Sequence, residues 1–81
     1  MLASRVTAEF QKRNDESLSR REIEILIHLR EGRGDKQIAA ALGLSTKTIQ
    51  HHVWTLCHKL AAANRTHAVV IALRLKIIAL A

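Results

Sequence analysis

Proline and tyrosine are absent from this sequence, and cysteine occurs once. Without proline, and with only three glycines among many leucine, isoleucine and alanine residues, the composition favours helices throughout. The one cysteine, Cys57, excludes an internal disulfide framework and fits a reducing cytoplasm. Phe10 and Trp54 are the only aromatic residues, so the core of this 81-residue chain must be aliphatic. We therefore expect one small all-α domain.

Long hydrophobic runs are lacking as well. Residues 1–17 are polar and charged, so we expect no secretory signal peptide there. The apolar segment from Ala68 to Ala81 is too short to span a bilayer, and it contains Arg74 and Lys76. These features predict a cytoplasmic protein with no membrane partner.

Acidic residues are missing from the second half of the chain. All seven lie at or before Asp35, whereas every charged residue from Lys36 onward is lysine or arginine. The formal net charge is +6. Such asymmetry favours a polyanionic partner, with nucleic acid first and a membrane surface second. A solvated basic face without a partner is the alternative that charge alone leaves open.

Hydrophobic spacing and end signals divide the chain into a tail and four helices. Residues 1–17 have no clear period and are interpreted as an N-terminal tail or the end of a linker helix, which leaves 18–81 as the domain. The predicted helices run from about Ser19 to Glu31, from Asp35 to Leu42, from Thr46 to about Leu60, and from Arg65 onward. Their predicted start signals are a Ser19–Glu22 capping box, a cap at Ser45 and a cap at Asn64. The expected fold is a compact four-helix bundle.

The second and third predicted helices form a helix-turn-helix, since only Gly43-Leu44-Ser45 separates them. The third helix has one apolar stripe, formed by Ile49, Val53, Leu56 and Leu60. The opposite stripe carries Lys47, Gln50, His51, Trp54 and His58. An outward tryptophan among polar side chains predicts a surface built for contact.

Four segments, in order and correctly spaced, resemble the DNA-binding domain of the LuxR/FixJ (GerE-type) bacterial transcription regulators. They are LSRREIEIL, GRGDKQIAAALGLSTKTIQHHV, KL and NRTHAVVIAL, and they cover residues 18 to about 75. The resemblance implies a four-helix domain that places its third helix in the major groove of double-stranded DNA. Gly34 replaces the usual serine cap of the second helix. Gln50 and Trp54 also differ from the family pattern, so the resemblance does not imply which DNA sequence is recognised.

With the third helix in the major groove, its expected rotation and the helix starts suggest roles for individual residues. Lys36, Lys47 and Thr48, with the backbone amides at the starts of the second and third helices, are expected to hold phosphates. Gln50, His51 and Trp54 are expected to face base edges or the groove wall. Lys59 is either a further phosphate contact or a solvated lysine. Glu22 and Arg65 resemble the structural acid and base of the family, so Arg65 is expected in an internal ion pair and not in a phosphate contact. The full set of expected DNA-contacting residues is Lys36, Ser45, Lys47, Thr48, Gln50, His51, Trp54 and Lys59.

The resemblance implies that the fourth helix mediates dimerisation, as it often does in the family. Its apolar character extends nearly all round, and the expected dimer interface consists of Val70, Ile71, Arg74 and Ile78, with Ile78 pointing outward. The resemblance also implies a separate sensor or receiver domain, so the chain is interpreted as a fragment of a response regulator or a small stand-alone member. RNA polymerase is a further expected partner.

Four other interpretations compete with this one. Zinc coordination by His51, His52, His58 and Cys57 is not expected, because Cys57 points with the buried stripe. No group is placed to orient a Cys57 nucleophile, so neither an enzyme nor a cofactor is expected. Region 4 of the sigma factors shares the helix-turn-helix corner, but the NRTHAVVIA segment favours the LuxR type. A helical protein-interaction module using the apolar C-terminal helix is the main alternative from another class.

Overall fold

The computed structural model describes residues 18–80, so the predicted tail at 1–17 lies outside the described residues, as does Ala81. Four α-helices follow one another in this region: α1 (Arg20–Arg30), α2 (Asp35–Leu42), α3 (Thr46–Leu60) and α4 (Arg65–Arg74). The predicted all-α, four-helix architecture is confirmed. Among the described residues, no helix is both long enough and apolar enough to cross a membrane.

Each helix begins within one residue of its predicted start. At α1, the Ser19 hydroxyl accepts the Glu22 N–H (3.0 Å) and the Glu22 carboxylate accepts the Ser19 N–H (2.8 Å), which completes the capping box. The Ser45 hydroxyl caps α3 and the Asn64 amide oxygen caps α4. Gly34 offers α2 no side-chain acceptor. These local bonds fix where the chain enters each helix.

All four helices end at a residue with positive φ, followed by an N–H that bonds back five residues. The residues in this left-handed conformation are Gly32 (φ 79°), Gly43 (φ 69°), Ala61 (φ 56°) and Lys76 (φ 60°). At Gly43 the turn is what separates α2 from α3. Ala61 and Lys76 adopt the same conformation with a Cβ atom, at a cost of about 1 kcal/mol each.

The turn at Lys76 corrects the prediction for the C-terminal segment. Helix α4 ends at Arg74, the Ile77 N–H bonds to the Ala72 carbonyl (2.9 Å), and the chain then folds back. Ile78 therefore lies in the core with 6% of its surface exposed. Its predicted position on an outward stripe is wrong, because that stripe assumed an uninterrupted helix.

Helix α3 is central to the packing, because it contacts each of the other three helices. Its predicted stripe of Ile49, Val53, Leu56 and Leu60 is buried. The remaining buried hydrophobic side chains come from every other element: Leu18, Ile25, Leu26, Ile38, Ala39, Ala68, Ala72 and Ile78. Burial of one full stripe fixes the rotation of α3 about its axis, and so decides which side chains face outward.

Candidate nucleic-acid interface

The outward face of α3 presents Gln50, His51 and Trp54, all of which are exposed. Trp54 is the most conspicuous of the three, with 66% of its surface accessible. Tryptophan is enriched among the residues that dominate binding surfaces, so its exposure among polar side chains favours a contact surface. The predicted orientation of these residues is confirmed, whereas their contact with DNA stays a prediction.

Trp54 has a partner on its own helix. The imidazole of His58 stacks on the indole, with ring centroids 5.5 Å apart and ring planes 3° from parallel. The periodicity of α3 predicts His58 on this face but gives it no role. Its four-residue separation from Trp54 was the available signal, since side chains at i and i+4 meet on a helix.

Two predicted phosphate-binding lysines lie at neighbouring helix starts. Lys36 is in the first turn of α2, Lys47 is in the first turn of α3, and both are exposed. The first turn of α3 contains no acidic residue. Lysines beside helix N-termini, where backbone N–H groups carry partial positive charge, form a suitable environment for an anion.

The hydroxyl groups of Ser45 and Thr48 are engaged with each other in this environment. The Ser45 hydroxyl accepts the Thr48 N–H (3.0 Å) and donates to the Thr48 hydroxyl oxygen (2.8 Å). Ser45 therefore acts in this structure as the cap that sets the start of α3, which is the local role the sequence predicts for it. Its contact with DNA, like that of Thr48, stays a prediction.

The one acidic residue at the start of α2 is neutralised by α4. Arg65 Nη1 lies 2.7 Å from Asp35 Oδ1, so Arg65 is in an internal ion pair as predicted. Its partner is Asp35 and not Glu22, whose carboxylate binds Lys59 instead. The hydrogen bond from Arg65 is the main reason that the pKa of Asp35 is lowered. Partial burial opposes this effect, while the charge of Arg65 and the Gln50 side chain add to it. Pairing Asp35 reduces the negative charge that an approaching phosphate would meet.

Lys59 has a role that the sequence did not reveal. Its Nζ lies 2.9 Å and 3.2 Å from the two carboxylate oxygens of Glu22, a side chain of α1 that is almost fully buried. The interpretation as a solvated lysine is wrong, because this ion pair joins α3 to α1. A phosphate contact by Lys59 stays a prediction, and the ion pair with Glu22 already engages its ammonium group.

The thiol of Cys57 lies in an environment that opposes reactivity. The side chain is half-buried and packs against the core. Burial raises the pKa of this thiol, with a smaller opposing effect from Arg65. A nucleophilic cysteine needs the reverse shift, because the thiolate is the reactive form. Within residues 18–80, no group of three or more histidine, cysteine or acidic side chains is arranged to hold a metal ion.

Comparison with known families gives the arrangement its context. Residues 16–72 match the family described as bacterial regulatory proteins, luxR family. The chain belongs to this luxR family. The resemblance seen in the sequence is thereby confirmed, and the family assignment favours a regulatory domain over region 4 of a sigma factor.

Several relatives in the luxR family are regulatory proteins by name. The chain is 44% identical over 57 residues to the uncharacterized transcriptional regulatory protein YhcZ of Bacillus subtilis, a match that covers 70% of this chain and 27% of that protein. It is 41% identical over 59 residues to the transcriptional regulatory protein LiaR of Bacillus subtilis, covering 73% and 28%. The response regulator protein VraR of Staphylococcus aureus is 39% identical over 57 residues, covering 70% and 27%. The chain thus spans little more than a quarter of the length of these relatives.

A solved structure has the same fold. The crystal structure of the phage VqmA–DPO complex superimposes with a TM-score of 0.67 and 34% sequence identity, covering 72% of this chain and 27% of that chain. The likeness in both sequence and fold supports a shared arrangement of the helix-turn-helix. The helices that position the outward face of α3 are therefore those of a luxR-family domain.

Proposed function

We propose that this domain binds double-stranded DNA sequence-specifically to regulate transcription, with α3 in the major groove. The observation that carries the proposal is the rotation of α3, which buries one full stripe and exposes Gln50, His51 and Trp54. Membership of the luxR family supports it. The domain acts by binding, in the cytoplasm, without catalysing a reaction and without a cofactor.

Phosphate contacts position the domain on the duplex. Lys36 and Lys47 extend from the first turns of α2 and α3, and the backbone N–H groups at the start of α3 add donors to the same surface. These contacts carry no sequence information, because every nucleotide presents the same phosphate. They supply affinity and fix how deeply α3 enters the groove.

Base contacts come from the exposed face one turn further along. A glutamine amide can donate to adenine N7 and accept from N6, a bidentate pair that discriminates between bases by about 1–3 kcal/mol. Gln50 is the side chain placed for this. Trp54 is too large to insert deeply beside the helix, so it lies along the groove wall against sugars or a thymine methyl group. His51 lies between them on the same face and contacts a base edge or a phosphate.

Replacing Gln50 by alanine should relax base preference at one position while leaving nonspecific affinity nearly unchanged. The measurement is selection of bound sites from a random duplex library, followed by comparison of the base profiles of the wild type and the Gln50→Ala variant. Lys36→Ala is the matched control, and it should weaken binding to all duplexes equally with an unchanged profile. An unaltered profile for Gln50→Ala would show that this side chain does not read bases.

The proposed assembly on DNA is a homodimer through α4. Val70 is 38% exposed, Arg74 is exposed, and Ile71 is partly buried against the core at the edge of the same surface. Ile78 is left out because it is buried. Two subunits would occupy half-sites about one helical turn of DNA apart. A sensor or receiver domain and RNA polymerase are the further partners proposed for the whole regulator.

Val70→Asp should abolish paired loading on a two-half-site duplex and leave single-subunit binding intact. Ile27→Asp is the matched control, because Ile27 on α1 has a similar exposure of 37% and lies outside the proposed interface. Mass photometry or analytical ultracentrifugation of the complexes counts the bound subunits. If Val70→Asp still loads in pairs with wild-type cooperativity, the dimer surface is elsewhere.

A protein-interaction module is the second candidate function. An open groove beside the end of α4 is lined mainly by apolar side chains, among them Leu73, Ile77 and Leu80. This surface would suit an amphipathic helix of another protein. Such a module would not retard duplex DNA at low salt, whereas the proposed DNA-binding domain retards it at low salt and releases it at high salt.

A further inference from the structure

The stacked pair of Trp54 and His58 lies on the outward face of α3 and has no structural task in the core. Both side chains are exposed, and Trp54 keeps 66% of its surface accessible although the imidazole stacks on one face of its indole. One indole face is therefore occupied by the helix's own histidine, while the other face and the ring edge are open. The stack restricts the orientation of the indole before any ligand arrives.

We propose that His58 is a positioning residue for DNA recognition: its imidazole holds the Trp54 indole in the orientation in which the open indole face meets the sugar wall of the major groove. The inference rests on the proposed function of α3, and it gives a role to a residue for which the periodicity of α3 predicts only an outward position. His58 acts through Trp54 and does not itself read a base.

Spacing along the helix supports this assignment. Gln50, Trp54 and His58 follow one another at intervals of four residues, so they form a row along one side of α3. The N-terminal part of a recognition helix lies deepest in the groove. Trp54 is therefore at the depth of the groove wall, and His58 is one turn further out, where it can support the indole from the solvent side.

The benefit of the stack is conformational. A freely rotating surface tryptophan loses side-chain entropy when it is immobilised against DNA, which weakens binding. A near-parallel stack at 5.5 Å restricts the indole in the free protein, so less freedom remains to be lost. The interaction energy of an aromatic pair of this kind is equivalent to a change of about three- to tenfold in a binding constant.

The charged group next to His58 in the sequence is engaged elsewhere. Lys59, the next residue along the chain, directs its ammonium group to Glu22 on α1. Within the part of the chain that the structure describes, the only ring contact of Trp54 is the one with His58. Removing the exposed His58 side chain therefore removes this ring contact without opening the core.

The experiment is a double-mutant cycle read out with fluorescently labelled specific duplex. His58→Ala should weaken binding by about three- to tenfold, and His58→Phe, which keeps a flat ring, should restore it to within about twofold. In the Trp54→Ala background, His58→Ala should have no further effect. Equal losses in both backgrounds would overturn the proposal, because His58 would then contact DNA independently of Trp54. Unchanged affinity of His58→Ala would overturn it as well.

Emission from the free protein supplies an independent readout. Trp54 is the only tryptophan, so time-resolved anisotropy reports on this indole alone. Faster local rotation is expected in His58→Ala than in the wild type or His58→Phe, and equal rotation in all three would contradict the positioning role. Absence of duplex binding by the wild type would overturn the proposed function itself. Wild-type binding with an unaffected His58→Ala variant would overturn only the present inference.

Discussion

Replacing Glu22 by alanine should lower the free energy of unfolding by about 3 kcal/mol, a large share of the stability of so small a domain. The carboxylate is 4% exposed and makes two kinds of contact. It accepts the Ser19 N–H at the start of α1, and it binds the Lys59 ammonium of α3. Alanine removes both contacts and leaves Lys59 without its carboxylate in a partly buried position. Local helix entry and helix–helix packing are therefore weakened together.

Glu24→Ala is the matched control for this prediction. Glu24 lies on the same helix and pairs with Arg21 at 3.2 Å, but both side chains are more than two-fifths exposed. Solvent screening limits such a pair, so its loss should change stability by less than about 0.5 kcal/mol. Urea unfolding followed by circular dichroism measures both variants. Equal stability of the two would show that the Glu22–Lys59 pair does not hold α1 against α3.

The largest expected effect on binding is that of salt. If each subunit of the proposed dimer neutralises three phosphates, through Lys36, Lys47 and the start of α3, six contacts are made per duplex. Raising the salt concentration from about 50 to 200 mM should then weaken binding by about a thousandfold, because each contact releases condensed counterions. Affinity that stays flat over this range would contradict a phosphate-based interface.

The same titration separates interface lysines from other lysines. Lys47→Ala should reduce the slope of log K against log salt by about two per dimer, since each subunit loses one contact worth about 0.9. Lys76→Ala is the control, because Lys76 is equally a lysine and exposed but lies in the turn after α4. Its slope should match that of the wild type. A similar reduction of the salt slope in both variants would indicate that the net charge of the domain attracts DNA without specific phosphate contacts.

Much of this fold could be predicted because its signals are local. The capping box at Ser19–Glu22, the glycine at 43 and the apolar stripe of α3 each depend on residues within a few positions of one another. The C-terminal turn could not be predicted in this way. Lys76 adopts a left-handed conformation that glycine or asparagine usually signals, so nothing in the local sequence marks the end of α4.

The candidate site also combines features that the local sequence predicts with features that it does not. Which side of α3 faces outward follows from its periodicity, so Gln50 and Trp54 could be placed from the sequence. The ion pair between Lys59 and Glu22 could not be predicted, because the two residues are 37 positions apart. The residues around Lys59 in the sequence would be the same if its side chain were exposed at a helix end. The Trp54–His58 stack lies between these cases. The four-residue spacing of Trp54 and His58 is visible in the sequence, but the side-chain rotamers that bring the two rings together depend on the folded structure.

The central claim is that α3 meets DNA with its outward face, and the emission of Trp54 on titration with duplex tests it most directly. Because the chain has one tryptophan, at the centre of this face, its signal reports on no other surface. We predict a saturable change in emission with specific duplex at low salt, and high salt should reverse it. The duplex concentration at the midpoint of this change should match the concentration at which half of the protein is in the retarded complex. A retarded complex that forms while Trp54 emission stays constant would contradict the claim, since DNA would then be bound elsewhere on the domain.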